Sequence, residues 1–461
     1  VRLALPQNPK ESGVHMRRLA LAFTLLFLFA SSALAQPRSV VMISIDGLKP
    51  DYILEADKYG LKIPNLRRLA REGSFARGVT GVLPTVTYPS HATMVTGVSP
   101  AKHGILYNLP FDPMNKNQGG WMWYAEDIKS PTLWEVVRKA GKVSSTVDWP
   151  VSVGAPATYN IAQFWRATTE DDHKLLRAVS TPGLLAKIES ELGPYPAGYI
   201  YTVESDSKRA RFNAWIIEHL RPAFHTGYFS VLDEVEHEHG PYTREVYETL
   251  EALDAMVGVV WNAAEKAYPG KYVFCIVSDH GFAPYTNSVS LNAAFREAGL
   301  ISLDAKGAVK DWKAMTWGGG GSTAVILKNP NDSATVEAVR AILERLRNDP
   351  ANGILRVLTN QEAVASGGFP GASFVVGVKP GWVLSGGWDR VLTTGLRKAG
   401  THGFLRDLSE MYSSFFVAGA GIARGRDLGQ IDMRDIAPTL AKIIGVSLPS
   451  AEGRDVLSGR K

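Results

Sequence analysis

Three aspartates and three histidines stand where apolar runs end or between glycines, and residues of those types in that pattern can hold metal ions. Asp46 follows the run Ser39–Ile45, Asp233 and His237 follow Gly227–Leu232, and Asp279-His280 follows Tyr272–Ser278. His402 lies in Gly400-Thr401-His402-Gly403-Phe404, where the glycines let the backbone turn tightly. Carboxylate and imidazole donors suit zinc, with manganese or iron as alternatives, and six of them suit two ions with three protein ligands each. Singly, each residue has a plainer reading, because an Asp after a strand can cap the next helix and a His can sit in a polar loop. The spacing of Asp233 and His237 in Asp233-Glu234-Val235-Glu236-His237-Glu238-His239-Gly240-Pro241 fits one acidic helical turn equally well, and His239 has no evident role.

Hydroxyls are supplied by Leu83-Pro84-Thr85-Val86-Thr87-Tyr88-Pro89-Ser90-His91, a proline-fixed turn leading into a small-residue helix over Ala92–Gly97. A helix N-terminus favours phosphate. A free threonine is a poor nucleophile, but a metal ion lowers the pKa of a bound oxygen, for water from about 15.7 to about 7. A threonine beside such an ion can attack phosphorus.

These groups need elements to position them. Ser39–Ile45 reads as a buried parallel strand, and further strands are predicted at Val143–Val147, Tyr228–Leu232, Tyr272–Val277, Thr323–Leu327 and Ser414–Ala418. Helices are predicted from Pro64, ending at Gly73, and over Thr132–Ala140, Tyr242–Ala267, Ser333–Arg347 and Arg434–Ile444. Alternation of this kind predicts a mostly parallel sheet with helices on both faces, and in open α/β sheets ligands bind at the carboxyl ends of the strands. The turn-rich stretch from about 287 to 400 reads as an inserted cap. Gly318–Gly321 lacks the Lys and Ser/Thr of a phosphate loop and reads as flexible.

The 461 residues are 45% hydrophobic and 21% charged, which excludes disordered, fibrous and miniprotein classes. Met16-Arg17-Arg18, the apolar run Leu19–Ala30 and Ala33-Leu34-Ala35 have the three parts of a secretory signal, with cleavage expected after Ala35 and residues 1–15 upstream of the initiator. The run is shorter than the roughly 20 residues of a membrane span, so no stable anchor is expected, an uncleaved anchor being the alternative. The expected protein, residues 36–461, is secreted, and the single Cys275 excludes an intramolecular disulfide framework and favours a periplasm. Cys275 sits in an apolar strand and reads as an inert buried thiol. Removing the leader lowers the formal charge from +5 to +2, which gives no case for sequence-specific nucleic-acid binding.

Asp46-Gly47, Pro84-Thr-Val-Thr-Tyr-Pro-Ser-His91 with Val95-Thr-Gly97 and His103-Gly-Ile105, Trp149-Pro150, Asp233 to His237 with Gly240-Pro241, Ser278-Asp-His-Gly281 and Thr401-His-Gly-Phe404 together resemble one family. It is the nucleotide pyrophosphatase/phosphodiesterase branch of the alkaline phosphatase superfamily. The resemblance implies an alkaline phosphatase-like three-layer α/β sandwich and a two-zinc site, with one ion on Asp46, Asp279 and His280 and the other on Asp233, His237 and His402. It implies that Thr87, bound to the first ion, is the nucleophile, that Asn108 donates to a phosphoryl oxygen, and that Tyr88 contributes to a substrate slot. The implied activity is hydrolysis of a small-molecule phosphodiester or nucleotide through a phospho-threonine. Ser90 departs from the family's usual Asn or Gly, and the region between His280 and His402 is only loosely similar.

The rival enzyme is a phosphomonoesterase on the same metals, which needs extra cationic groups for the added charge. Val147-Asp148-Trp149-Pro150-Val151-Ser152-Val153-Gly154, after a predicted strand, has no Lys or Arg. A sulfatase would need a Cys/Ser-x-Pro-x-Arg setting that has no counterpart here. The non-enzymatic rival is a zinc-binding surface protein that keeps the fold without turnover.

Overall fold

Alternate residues of the first strand point to opposite sides, and both sides are apolar. In the computed structural model, which describes residues 1, 4, 38–117, 119–165, 169–198 and 200–458, Val41, Ile43 and Ile45 join one core and Val40 and Met42 another. The expected export signal and its cleavage point lie outside the described residues. Residues Arg38–Lys461 form one unit.

The strands that matter here are β1 (Ser39–Ile45), β2 (Ser74–Phe75), β3 (Ser144–Val147), β4 (Tyr159–Ile161), β5 (Phe224–Phe229), β6 (Tyr272–Val277), β7 (Ala283–Val289), β8 (Ala314–Trp317), β9 (Ser322–Leu327), β10 (Ile354–Thr359), β11 (Phe374–Val378), β12 (Gly381–Leu384), β13 (Ala399–Thr401), β14 (Phe415–Gly419) and β15 (Arg426–Asp427). The helices are α1 (Pro64–Glu72), α2 (Thr87–Thr96), α3 (Leu133–Lys139), α4 (Val203–Leu220), α5 (Val231–His239), α6 (Arg244–Ala267), α7 (Ser333–Asn348) and α8 (Ile436–Ile444).

The central sheet has eight strands in the order β15-β2-β14-β6-β1-β5-β3-β4. From β6 through β4 every neighbour is parallel, and β14 is antiparallel to both β6 and β2. Helices α1, α4 and α6 cover one face, while α2, α3 and α8 cover the other. Helix α6 shows why it docks there: Val246, Leu250, Leu253, Val257, Val260 and Ala264 repeat at helical spacing and are buried in the first core. Truncating one such Leu to Ala costs about 2–5 kcal/mol.

Between β6 and β14 the chain builds a second centre. Strands β8, β9, β11 and β10 form an antiparallel sheet, and a separate apolar cluster, to which α7 contributes, draws on residues from Ala283 to Met411. The span from 283 to 411 contains β13, the strand that delivers His402. The expected strand Tyr228–Leu232 is shifted: β5 ends at Phe229, and Val231 opens α5. No helix among the described residues is long and apolar enough to cross a membrane.

Candidate active site

Parallel pairing places the carboxyl ends of β1, β5 and β6 side by side, so the residues that follow them converge. The Asp46 amide donates to Phe229 O at 2.9 Å, which continues the β1–β5 register one residue past the strand. Gly47, at φ +74°, donates to Asp279 Oδ1 at 3.2 Å. A Cβ at that glycine would lie 2.7 Å from Glu236 Oε2 and 2.8 Å from the Phe282 ring, so both conformation and space require glycine. Asp233 and His237 lie on consecutive turns of α5, at i and i+4, and not on a loop after a strand.

All six metal-type residues come together. His280 Nε2 lies 3.2 Å from Asp279 Oδ2 and 3.4 Å from Asp46 Oδ1, and the His280 and His402 rings stack at 3.7 Å. Asp233 Oδ1 is 3.5 Å from His237 Nε2 and 3.7 Å from His402 Nε2. Donor atoms of Asp233, His237 and His402 lie within 4.8 Å of one another, and so do those of Asp46, Asp233 and His280, which places Asp233 between the two groups. His239 points elsewhere, toward Glu238.

The donor set passes a physical test for metal. Asp46 Oδ1, Asp233 Oδ1, Asp279 Oδ2 and His280 Nε2 are buried without a hydrogen-bond partner, and a native protein rarely leaves such atoms unsatisfied. Two ligands about 2.0–2.1 Å from a tetrahedral ion stand about 3.3 Å apart, and the observed pairs span 3.2 to 3.7 Å. The imidazoles are also oriented for it. His237 Nδ1 donates to Gly400 O at 3.1 Å and His402 Nδ1 to Thr85 O at 3.2 Å, leaving each Nε2 facing Asp233.

Electrostatics point the same way. Burial, then the charges of Asp279 and Asp233, push the Asp46 carboxyl well above the ordinary range, and burial pushes Asp279 up to about 6. Asp233 is raised by burial and by Asp279. Burial holds His280 and His402 well below their usual value, with neighbouring imidazoles adding to it, and also lowers His237. Without a cation, burial and the neighbouring like charges disfavour the charged form of both the acids and the imidazoles. Glu236 on the same helix accepts from Tyr52 Oη at 2.6 Å, and burial pushes its carboxyl up to about 8.

Thr87 is the first residue of α2 and is almost fully buried. It lines a cavity of about 80 Å³ with Asp46, Asn108, Asp233, Glu234, His237, His402, Tyr228 and the rings of Trp121, Trp165 and Tyr201. Asn108 Oδ1 accepts the Tyr88 N–H at 2.9 Å, which leaves its amide nitrogen to donate into the cavity. Tyr228 Oη donates to Asp46 Oδ2. Among the described residues, no Lys or Arg lines this cavity. The nearby cations are committed elsewhere: Lys49 Nζ donates to Phe282 O and Glu410 O, and Arg209 pairs with Asp148 and Asp206.

Tyr88 is fully buried and is not among the lining residues. Its ring packs 5.3 Å from Trp121, and its hydroxyl donates to Gln163 Oε1 at 2.6 Å. Trp121, Trp165, Tyr201, Tyr228 and Glu234 line the cavity without having been identified from sequence. The aromatic-rich Trp121-Met122-Trp123-Tyr124 was the one available signal. Gly318–Gly321, expected as a flexible loop, braces the His402 turn: Gly321 donates to His402 O at 2.8 Å, and a Cβ there would meet Phe404 at 2.0 Å. Cys275 is buried and its thiol is pushed up by burial, as an inert core residue should be.

Residues 40–405 match the family model for type I phosphodiesterase / nucleotide pyrophosphatase. Mouse ectonucleotide pyrophosphatase/phosphodiesterase family member 1 is 25% identical over 252 residues, which are 52% of this chain and 24% of that protein. The chain thus spans about a quarter of that relative's length. Human bis(5'-adenosyl)-triphosphatase ENPP4 is 21% identical over 427 residues, 90% of this chain and 80% of that protein. Among solved structures, an inactive form of murine ectonucleotide pyrophosphatase/phosphodiesterase 5 in complex with AMP aligns with a TM-score of 0.65 at 18% identity, covering 91% of this chain and 99% of that one. That likeness establishes the alkaline phosphatase-like fold.

Proposed function

Because the chain belongs to the type I phosphodiesterase / nucleotide pyrophosphatase family, we propose that it hydrolyses a small-molecule phosphodiester or phosphoanhydride, with Thr87 as nucleophile. The observation that carries this reading is one cavity that joins the Thr87 hydroxyl, the Asn108 amide and acids with unpartnered atoms, with no Lys or Arg among the described residues of its wall. A diester brings one negative charge and a second substituent. Aromatic rings suit that substituent, and among the described residues a monoester's extra charge would find no Lys or Arg on the wall.

Asp46, Asp279 and His280 would hold one divalent ion and Asp233, His237 and His402 the other, with zinc favoured by the donor types. When bound, the ions would neutralise charge and lower the pKa of a coordinated oxygen. The rest falls to the chain. Helix α2 presents Thr87 at its N-terminus, where the partial positive charge favours the phosphoryl group. Asn108 donates to a non-bridging oxygen and stabilises the charge that develops there. The bond from Thr87 Oγ to phosphorus forms as the leaving oxygen departs, and water then cleaves the phospho-threonine and restores the hydroxyl. The segment between β6 and β14 serves as a cap, and the leader exports the protein to a periplasm. The AMP held by the murine neighbour supports nucleotides as the first substrates to try.

The test compares kcat/KM on matched aryl phosphodiester and phosphomonoester substrates, with chelator and with zinc added back. The diester should be preferred, chelator should abolish turnover, and Thr87→Ala should lose it while retaining zinc. Monoester preference would overturn the diesterase reading, and an active Thr87→Ala protein would remove the phospho-threonine.

A further inference from the structure

A second buried ionic cluster lies outside the metal-type residues and bonds to segments that carry cavity-lining residues. Arg209 on α4 is 1% exposed, with Nη1 2.7 Å from Asp206 Oδ1 and Nε 2.8 Å from Asp148 Oδ2. Ser230, before the first residue of α5, offers that helix no side-chain cap. Asp206 caps it from α4, its Oδ2 accepting the Ser230 and Val231 amides at 2.8 and 2.9 Å. The helix so held carries Asp233 and His237. Arg209 also donates to Ile200 O at 3.3 Å, one residue before the cavity-lining Tyr201.

The chain of bonds continues to the opposite wall. Asp148 follows β3 in a left-handed conformation, φ +57°, that a non-glycine residue adopts only when its surroundings hold it. Its carbonyl accepts Gln163 Nε2 at 2.9 Å, Gln163 Oε1 accepts the Tyr88 hydroxyl, and the Tyr88 amide donates to Asn108 Oδ1. We propose that Asp206, Arg209, Asp148, Gln163 and Tyr88 form one positioning chain that fixes Asn108 relative to the helix bearing Asp233 and His237. None of these five lines the cavity. Their contribution is geometric: misplacing a catalytic group by about 1 Å can cost about 100-fold in rate. The inference rests on the phosphodiesterase reading.

The experiment measures kcat, KM and zinc content for Tyr88→Phe, Gln163→Met and the double variant, well below their unfolding temperatures. Each single change should lower kcat about 10-fold and leave KM and zinc within about twofold, because binding groups stay in place while the donor drifts. The double variant should be no worse than either single one, since one broken link already uncouples the chain. Arg209→Lys keeps the charge but loses the planar fork, so kcat should fall about as far. A wild-type kcat in the folded Tyr88→Phe and Gln163→Met proteins, with only the unfolding temperature lowered, would overturn the proposal. If the wild-type protein shows no metal-dependent hydrolysis, it is the parent reading that fails.

Discussion

The protein buries two clusters of charge, and they differ in one respect, which is how they are paired. Asp148, Asp206 and Arg209 close on themselves, with the guanidinium pulling both carboxyls down against the upward push of burial. Asp46, Asp233 and Asp279 lie beside neutral imidazoles and, among the described residues, form no ion pair with a Lys or Arg. The acids of both sets are largely buried, so burial alone does not separate a structural joint from a site. The joint is complete as the chain folds, whereas the acidic cluster is complete only with positive charge from outside. Breaking a complete ion pair leaves a bare charge; removing one acid from the incomplete cluster relieves repulsion.

The largest expected effect follows from that contrast. Asp279→Ala should lower diesterase activity about 1,000-fold or more, since the loss of a metal ligand disables nucleophile and charge neutralisation together. In chelator the same variant should unfold at a higher temperature than wild type, because a buried like charge has gone. Arg209→Met should do the reverse, losing about 3–5 kcal/mol whether metal is present or not. Thermal unfolding of the two variants with zinc and with chelator checks this. If both variants destabilise the metal-free protein alike, the two clusters are not different in kind.

A smaller effect concerns pH. In metal-free protein Asp279 sits at about 6 and Glu236 at about 8, both above their ordinary values because of burial. A carboxyl raised on folding contributes stability that is present below its unfolded pKa and is lost as pH rises through the folded value. The metal-free form should therefore gain stability as pH falls from 8 to about 6.5, below which the buried imidazoles, held under their usual value, oppose the gain because they charge only on unfolding. The metal-loaded form should lose it over the same range, because protons compete for the ligands and the stabilisation from binding shrinks. Unfolding temperatures at half-unit pH steps, with zinc and with chelator, should converge as pH falls. Parallel curves would mean that protons and metal do not share these groups.

The acidic cluster was largely legible in the sequence and the joint was not, for physical reasons. Asp46 and Asp279-His280 follow unbroken apolar strands, so the strand ends announce them. Asp233 and His237 were found although the strand before them was drawn past Phe229, because Val231 and Leu232 are apolar in either element. Arg209 and Asp206 pair with each other at i,i+3, as many solvated helix faces do, and their distant partners at 148 and 230 are ones that no local spacing reveals. Tyr88, next to Thr87, fits a substrate slot or ordinary core packing equally well from sequence, and its buried ring packs against Trp121. Trp165 and Tyr201 reach the cavity from irregular segments that carry no periodic signal.

The smallest effect tests the rim where the incomplete cluster meets solvent. Glu234 is exposed on α5 and lines the cavity beside Asp233, adding a negative charge where no Lys or Arg lines the cavity among the described residues. Unlike the buried acids it is free to be solvated, so it acts on substrates by through-space repulsion, about 1 kcal/mol for unit charges 4 Å apart in water. The more highly charged substrate should feel it more. Glu234→Gln should raise kcat/KM for the aryl monoester about two- to fivefold relative to the diester at low ionic strength. The gain should fade near 0.5 M salt, where screening shortens the reach of exposed charges to about 4 Å. A ratio that does not move at low salt would mean that bound metal alone sets the charge preference of the cavity.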